Sequence, residues 1–151
     1  MAEPRADELY RAEGLTRRYR NGGRDVLALD AVDLSLERGQ RLGIVGESGS
    51  GKSTLVRLLA GLDHPTAGRV WFEGTEITDL PEKRLGFLRA SVQMVFQDPR
   101  SSLNPRMRVS DIITEPLRSR LVRSQLTDRV DQERRLAEVL AAVDLPADAG
   151  G

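Results

Sequence analysis

The chain has 151 residues and a formal net charge of zero, because 23 Lys and Arg balance 23 Asp and Glu. Apolar residues make up 39% and charged residues 30%, a globular composition that is neither disordered nor fibrous. The neutral charge argues against nucleic-acid binding driven by phosphate attraction, so no nucleic-acid partner is expected. The chain has no cysteine, which excludes disulfides and Cys-ligated metal centres, and its single His64 is too little for a His-based metal site.

No segment of the sequence predicts a membrane span. The longest apolar run, Val139–Val143, has five residues, whereas a spanning helix needs about 20. The charged N-terminus, Met1–Glu8, has no apolar segment behind it, so a cleaved signal peptide is not expected. We therefore expect a cytosolic chain, or one that is bound to a partner there.

The first part of the chain predicts β structure. Leu9–Tyr19 is a mixed, partly alternating run, and Asn21-Gly22-Gly23 is a strong turn signal. Val26–Leu29 and Ala31–Leu36 are two further predicted strands, the second with period-two alternation. Such alternation is typical of an antiparallel sheet with one buried face.

A strand, a glycine-rich loop and a helix are predicted next. After a turn at Glu37–Gln40, Leu42–Val45 predicts a short, fully buried strand. Gly46–Gly51 is a glycine–serine loop, and a helix pattern begins at Lys52. Its apolar side chains recur at helical spacing: Leu55, Leu58, Leu59 and Leu62. Pro65–Gly68 ends the helix.

The middle of the chain predicts two more strands around a short helix. Arg69–Phe72 and Val92–Phe96 are the strands, and the turn Glu73-Gly74 follows the first of them. Pro81–Arg89 suits a short helix with Pro81 in its first turn. Asp98–Pro105 predicts a loop.

Two helices are predicted towards the C-terminus. Ser110 or Asp111 is expected to cap a short helix that runs through Leu117. Thr127 is expected to cap a last helix through Val143. Four apolar side chains should share one face of that helix: Leu136, Val139, Leu140 and Val143.

The strongest motif is G-x-x-x-x-G-K-[ST], which residues 46–53 match. Its glycines let the backbone curl so that N–H groups point inward, and with the positive end of the following helix they cradle phosphate oxygens. Lys52 should reach the β- and γ-phosphates, the Ser53 hydroxyl should ligate Mg²⁺, and Thr54 should add a phosphate contact. The predicted nucleotide-binding residues are Gly46, Glu47, Ser48, Gly49, Ser50, Gly51, Lys52, Ser53 and Thr54. The alternative is an ordinary glycine-rich strand–helix turn.

From about residue 12 to about residue 148 the chain resembles the ATP-binding subunits of ABC transporters. Besides residues 46–55, the resemblance rests on Ala60-Gly61-Leu62 with Pro65-Thr66 and Gly68, and on Val92–Pro99, which is similar to the strand entering their Q-loop. Ser101–Met107, with Ile112-Ile113 and Glu115-Pro116-Leu117, resembles the dipeptide, oligopeptide and nickel importer branch, and within it the second of the two ATPase subunits.

The resemblance implies an α/β fold, the P-loop NTPase fold of ABC type. Residues 1–97 would form an antiparallel β subdomain and the P-loop core, and residues 98–151 the Q-loop and the start of the helical subdomain. The central sheet would be incomplete, as in an N-terminal fragment of a nucleotide-binding domain. A parallel strand without neighbours is poorly stabilised, so we expect the isolated chain to be unstable or prone to aggregation.

Residue roles follow from the resemblance. Tyr19 stands where the family places an aromatic ring on adenine, although an ordinary strand residue is the alternative and Tyr10 is a weaker rival. Gln97 matches the glutamine that touches Mg²⁺ or the attacking water, although an ordinary loop glutamine is the alternative. Lys52 and Gln97 are thus the expected catalytic residues, and Ser53 and Gln97 the expected metal ligands. His64 is expected to be an exposed turn residue.

Partners also follow from the resemblance. In the family, two nucleotide-binding domains close on two ATP molecules and drive the transmembrane permease subunits. ATP with Mg²⁺, a second ATP-binding subunit of the same or another kind, and permease subunits are therefore the expected partners. Pro99–Leu117 is the expected contact with the permease. The chain would lie in the cytoplasm, peripheral on the inner face of the membrane.

Parts of the family's hydrolytic machinery do not occur in these 151 residues. Hydrolysis needs an apolar strand ending in Asp-Glu, whereas the only lookalike, Val139–Asp144, is followed by Leu145 and suits a helix. No Ser-Gly-Gly-Gln signature is present. We expect the chain not to hydrolyse ATP alone. A non-hydrolysing nucleotide-binding module and another P-loop enzyme, such as a small kinase, are the alternatives.

Overall fold

The computed structural model describes residues 7–98, 102–118 and 129–146. The chain divides into two compact units, Met1–Met94 and Val95–Gly151. In the described ranges, no helix is both long and apolar enough to cross a bilayer. The expected boundary after residue 97, between a P-loop core and a helical subdomain, stays a prediction.

A four-stranded antiparallel sheet forms the frame of the first unit. The strands are β1 (Glu8–Asn21), β2 (Arg24–Glu37), β3 (Ala67–Phe72) and β4 (Thr75–Glu76), in the order β2-β1-β3-β4. β1 lies in the middle and pairs with both β2 and β3. The antiparallel β structure predicted for this part of the chain is confirmed.

The β1–β2 hairpin follows from local sequence. Gly22 and Gly23, with φ of 56° and 81°, occupy the left-handed conformations that a tight two-residue turn of this kind requires. The two strands predicted on either side of Asp30 form the single strand β2. At Ala31 the chain takes a φ of 47°, and the Ala31 N–H donates to Thr16 Oγ1 at 3.0 Å. This side-chain acceptor satisfies the backbone where the ladder is irregular.

Helix α1 (Lys52–Leu59) packs its Leu55 and Leu58 side chains into the core, as their spacing predicts. The helix is shorter than its apolar pattern suggested, and Leu62 lies beyond its end. The Arg89 guanidinium donates to the carbonyls of Ala60 at 2.6 Å and Gly61 at 2.9 Å. These two residues directly follow the helix, where a basic side chain can satisfy acceptors that have no partner within it.

The core of this unit lies between the sheet, α1 and a third element. Glu82–Arg84 is a 3-10 turn, and α2 (Gly86–Ser91) follows it, so the single helix predicted over Pro81–Arg89 is divided. The division falls at Leu85, whose ψ of 11° is not helical. The buried cluster comprises Tyr10, Ala12, Leu15, Leu29, Leu55, Leu58, Val70, Phe72, Ile77, Leu85 and Leu88.

Two predicted strands are wrong. Leu42–Val45 and Val92–Phe96 have no strand structure, and within the described residues neither pairs with a strand. Val45 is 93% exposed and Val95 is 82% exposed. An apolar, β-branched run favours a strand, but only a hydrogen-bonded neighbour makes it one. The composition of these segments suits a strand, but the described residues contain no strand that pairs with them.

The described part of the second unit is helical. It contains α3 (Val109–Thr114), a 3-10 turn at Glu115–Arg118 and α4 (Arg129–Ala142). The N-cap of α3 is Arg108, whose side chain makes no capping hydrogen bond. The predicted caps Ser110 and Asp111 are therefore wrong, because both lie within the helix. Asp111 instead places its charge in the first turn, where the helix dipole favours an acid.

The predicted apolar face of the last helix is partly wrong. Leu140 is buried and Leu136 is partly buried, whereas Val139 and Val143 are 41% and 58% exposed. Helical spacing places the four side chains near each other but does not determine how many of them find a surface to pack against. The predicted cap of this helix, Thr127, lies outside the described residues.

Candidate nucleotide-binding site

The loop before α1 is exposed, turns at residues 48–51 and ends in a left-handed residue. Gly46, Gly49 and Gly51 all have positive φ. At Gly51, φ is 92° and an added Cβ would overlap the carbonyl oxygen of Ala28 in β2. Only glycine therefore lets the loop turn into the helix while it lies directly against the sheet.

Lys52 folds back over this loop. Its ammonium donates to the carbonyls of Gly46 at 2.8 Å and Glu47 at 2.6 Å, and to Ser50 Oγ at 3.1 Å. These acceptors carry partial charges only, so the full charge of a phosphate oxygen is a stronger partner for the same ammonium. The loop thus holds a cation between two backbone carbonyls and one hydroxyl.

The start of α1 is open to an anion. Its N-cap, Gly51, has no side chain to cap the helix, and the first turn contains no acidic residue. The first helical hydrogen bond runs from Leu55 N–H to the Gly51 carbonyl at 2.9 Å. The preceding N–H groups, those of Lys52, Ser53 and Thr54, have no helical acceptor, and they stand at the positive end of the helix dipole. Together these features favour a phosphate group.

An open cavity of about 180 Å³ lies between this loop and β2. The lining residues are Val26, Leu27, Ala28, Gly49, Gly51, Lys52, Ser53 and Thr54. One wall is thus apolar, with Val26 and Leu27 53% and 43% exposed, and the other carries the ammonium, the hydroxyls and the helix N-terminus. An apolar wall beside convergent polar groups suits a ligand with both an organic part and a charged part.

Tyr19 lies next to this cavity, since it pairs with the cavity-lining Val26 across the β1–β2 hairpin. Its ring is partly exposed, and the Arg17 guanidinium lies 4.5 Å from the ring centroid. The rival, Tyr10, is only 8% exposed and its hydroxyl donates to the Leu59 carbonyl. Burial raises the pKa of Tyr10 to about 12. Of the two tyrosines, only Tyr19 has ring surface available to a ligand.

Asp63 and Arg17 belong to the surroundings of Tyr19, and the sequence analysis missed both. Asp63 accepts hydrogen bonds from the Tyr19 hydroxyl at 2.8 Å, the Arg17 guanidinium at 2.8 Å and its neighbour's backbone N–H. Burial alone would raise the pKa of Asp63, but these hydrogen bonds and the positive charges of Arg17 and Arg57 lower it overall. The carboxylate is therefore ionised at neutral pH.

Arg17 could have been found from its position two residues before Tyr19 in a strand, which places both side chains on one face. Asp63 left no such signal, because it is distant in sequence and reaches the tyrosine only through the fold. His64 is exposed, as expected, and its Nδ1 lies 3.2 Å from the Thr78 carbonyl oxygen.

The two expected metal ligands lie in different units. The Ser53 hydroxyl is exposed in the first turn of α1 and lines the cavity beside Lys52. Such a neutral oxygen fits Mg²⁺, which is commonly held by few protein oxygens together with phosphates and water. Gln97 is exposed in the second unit. Its expected action at the same metal ion stays a prediction.

Comparisons with known proteins find a family for this chain. The ABC transporter family matches residues 29–149. The chain is 40% identical, over 139 residues, to the methionine import ATP-binding protein MetN of Corynebacterium diphtheriae, covering 92% of this chain and 38% of that protein. It is 45% identical, over 128 residues, to the oligopeptide transport ATP-binding protein AppF of Bacillus subtilis, covering 83% of this chain and 38% of that protein. The chain thus spans less than half the length of these relatives.

A solved structure extends the likeness to three dimensions. The chain superposes with a TM-score of 0.78 and 26% identity on the ATP-binding cassette MJ0796, in a dimeric post-hydrolysis state bound to ADP and Pi. The match covers 94% of this chain and 60% of that one. With the family match over most of its length, the chain belongs to the ABC transporter family and has the α/β fold of its ATP-binding cassettes.

Proposed function

We propose that this chain binds ATP with the triphosphate on residues 46–54, as part of the ATP-binding subunit of an importer. The observation that carries the proposal is the position of Lys52, whose ammonium lies over the loop at the open N-terminus of α1. One cation, the helix dipole and the unpaired N–H groups converge on the same cavity.

The expected residue roles follow from this arrangement. Lys52 neutralises phosphate charge, and the backbone N–H groups from Gly49 to Thr54 bind phosphate oxygens. The Ser53 hydroxyl would hold Mg²⁺, which would supply positive charge beside the phosphates. Tyr19 stacks on the base. Gln97 would contribute an amide oxygen to the metal ion or to the attacking water, without adding charge.

The importer role is supported by the relatives rather than by this site. The transport of oligopeptides is named for one relative and methionine import for another. Peptides or related amino-acid compounds are therefore the proposed cargo. We propose permease subunits and a second ATP-binding subunit as partners, since the solved relative is dimeric. The chain would lie on the cytoplasmic face, with Pro99–Leu117 towards the permease and the Q-loop segment beginning after residue 97.

We further propose that these 151 residues bind ATP without hydrolysing it. The sequence contains neither an apolar strand that ends in Asp-Glu nor a Ser-Gly-Gly-Gln segment. Phosphoryl transfer to water needs a residue that orients the water, and the signature segment of the family acts on the ATP of the partner domain. Lys52 and the loop, with Mg²⁺ when it is bound, would supply binding and charge stabilisation only.

Calorimetric titration of the chain with MgATP, followed by a phosphate-release assay on the same sample, tests both statements. We expect one ATP bound per chain, and phosphate release no faster than from the Lys52→Ala variant. Failure to bind ATP would refute the whole proposal. Steady phosphate release would refute only the second statement, and transfer that depends on an added acceptor would favour a small kinase.

A further inference from the structure

We propose that Asp63, acting with Arg17, positions the Tyr19 ring for stacking on the base of the bound nucleotide. The inference rests on the proposed function, because it concerns the base of the ligand whose phosphates lie on the loop. It gives a role to a carboxylate that lies outside the phosphate loop and is no part of the motif. Asp63 is on this account a positioning residue, since it acts on the base through Tyr19.

Asp63 contacts both the Tyr19 hydroxyl and the Arg17 side chain that lies over the Tyr19 ring. One carboxylate oxygen accepts from the Tyr19 hydroxyl and the other from Arg17 Nη2, each at 2.8 Å. The side chains of Arg17 and Asp63 are only 23% and 16% exposed. Hydrogen bonds to an ionised carboxylate are stronger than neutral ones, and limited contact with water preserves them. The tyrosine hydroxyl is therefore held at a defined place.

Arg17 determines which face of the ring is available. Its guanidinium carbon lies 4.5 Å from the Tyr19 ring centroid, a cation–π distance. Among the described residues, the buried Nε of Arg17 has no hydrogen-bond partner. The guanidinium is thus placed by Asp63 and the ring rather than by a full set of acceptors. Since Arg17 covers one face of a partly exposed ring, a base can stack only on the other face.

The segment that carries Asp63 is fixed to the phosphate loop's own helix. Leu62 N–H donates to the Arg57 carbonyl in α1 at 2.9 Å. Thr66 joins the same segment to β1, because its N–H donates to the Thr16 carbonyl and its Oγ1 accepts from the Arg18 N–H. One short helix therefore has the phosphate contacts at its start and the residue that holds the tyrosine just after its end.

The β1–β2 hairpin places Tyr19 beside the cavity. Tyr19 and Val26 are directly opposite in the β1–β2 ladder, and residues opposite each other place their side chains on the same face. Val26 lines the cavity beside the loop. In a nucleotide whose phosphates lie on the loop and whose base lies along the apolar wall, the base would therefore contact the Tyr19 ring.

A comparison of MgATP with inorganic tripolyphosphate tests the inference, because tripolyphosphate offers the phosphates without a base. Stacking on an aromatic ring is worth about 5- to 150-fold in affinity, which is the loss of ATP affinity expected for Tyr19→Ala. Because Asp63 acts through Tyr19, this loss is also the upper limit for Asp63→Ala. We expect Asp63→Ala to weaken ATP binding about 3- to 10-fold and to leave tripolyphosphate binding within about twofold. The matched control is Asp79→Ala at an exposed aspartate of the same unit, which should change neither affinity.

Conservative variants separate positioning from folding. Asp63→Asn keeps an oxygen that accepts from Tyr19, so it should retain more ATP affinity than Asp63→Ala. Tyr19→Phe keeps the ring but loses the hydroxyl, so Asp63→Ala should have a smaller effect in that background than in the wild type. If Asp63→Ala does not fold, Tyr19→Phe carries the test, with weaker ATP binding and unchanged tripolyphosphate binding expected.

The outcomes are distinct. Equal losses for ATP and tripolyphosphate, or no loss for ATP, would overturn the positioning role and leave the ATP site in place. Fully additive effects of Tyr19→Phe and Asp63→Ala would also overturn it. A wild-type chain that binds tripolyphosphate as tightly as ATP would show that no base is sensed. A chain that binds neither ligand would overturn both the inference and the proposed function.

Discussion

Lys52→Ala is expected to lower the affinity of the chain for MgATP about 10- to 150-fold, because a hydrogen bond to a charged group contributes about 1.5–3 kcal/mol. The ammonium lies over the loop, bonded to the Gly46 and Glu47 carbonyls and to the Ser50 hydroxyl. Removing it takes away the phosphate's cation and also three contacts that shape the loop. Calorimetry with MgATP measures the loss.

Lys83 provides the matched control, since it is the only other lysine of the chain and lies exposed in the 3-10 turn of the same unit. Lys83→Ala should leave the affinity unchanged. Lys52→Arg should recover little, because a guanidinium is larger and its planar fork does not fit a site shaped for a compact ammonium. Equal affinities for the wild type and Lys52→Ala would remove the lysine from the phosphate site.

Gly51→Ala is expected to destabilise the first unit by about 2–5 kcal/mol. A left-handed conformation costs alanine about 1–2 kcal/mol, and the added Cβ would overlap the Ala28 carbonyl and touch Leu29. Either β2 or the start of α1 must move, which costs about 1–3 kcal/mol more, as overpacked sites do. Urea unfolding followed by the fluorescence of Trp71 in β3 measures the change.

Alanine substitutions at two other glycines distinguish the cost of a left-handed backbone from the cost of steric overlap. Gly49 also has a positive φ, of 82°, but a Cβ there would meet nothing within 4 Å. Gly43 has neither a left-handed φ nor a neighbour within 4 Å. The expected order of destabilisation is therefore Gly51→Ala, then Gly49→Ala, then Gly43→Ala. If Gly51→Ala unfolds at the same urea concentration as Gly49→Ala, the close approach of loop and sheet does not limit stability.

Features set by neighbouring residues were predictable from the sequence. The glycine pair predicts the hairpin between β1 and β2, and the leucine spacing predicts α1. The phosphate motif identifies Lys52, Ser53 and the loop because the motif and its geometry are contained in one short segment. The same segment supplies five residues that line the candidate cavity, Gly49, Gly51, Lys52, Ser53 and Thr54. Their role in nucleotide binding stays a prediction.

Features set by distant residues were not predictable. Leu42–Val45 has the composition of a strand but needs a paired neighbour, and within the described residues none pairs with it. Asp63 lies in a segment with the composition of a turn. Its carboxylate nevertheless accepts a hydrogen bond from the hydroxyl of Tyr19, which precedes it by 44 residues. Long-range contacts of this kind leave no periodicity in either segment. The exposed Val45 and Val95 are consistent with the expectation that the isolated chain is unstable or prone to aggregation, which stays a prediction.

The most direct test of the ATP site is a titration of the ¹⁵N-labelled chain with MgATP, followed by the backbone amide chemical shifts. The account predicts that the largest shifts fall on Gly49, Gly51 and the first turn of α1, with a further set at Tyr19 and Val26. Tripolyphosphate should reproduce the first set alone. Unchanged amides in the loop, or shifts confined to other parts of the chain, would contradict the assignment of this cavity to ATP.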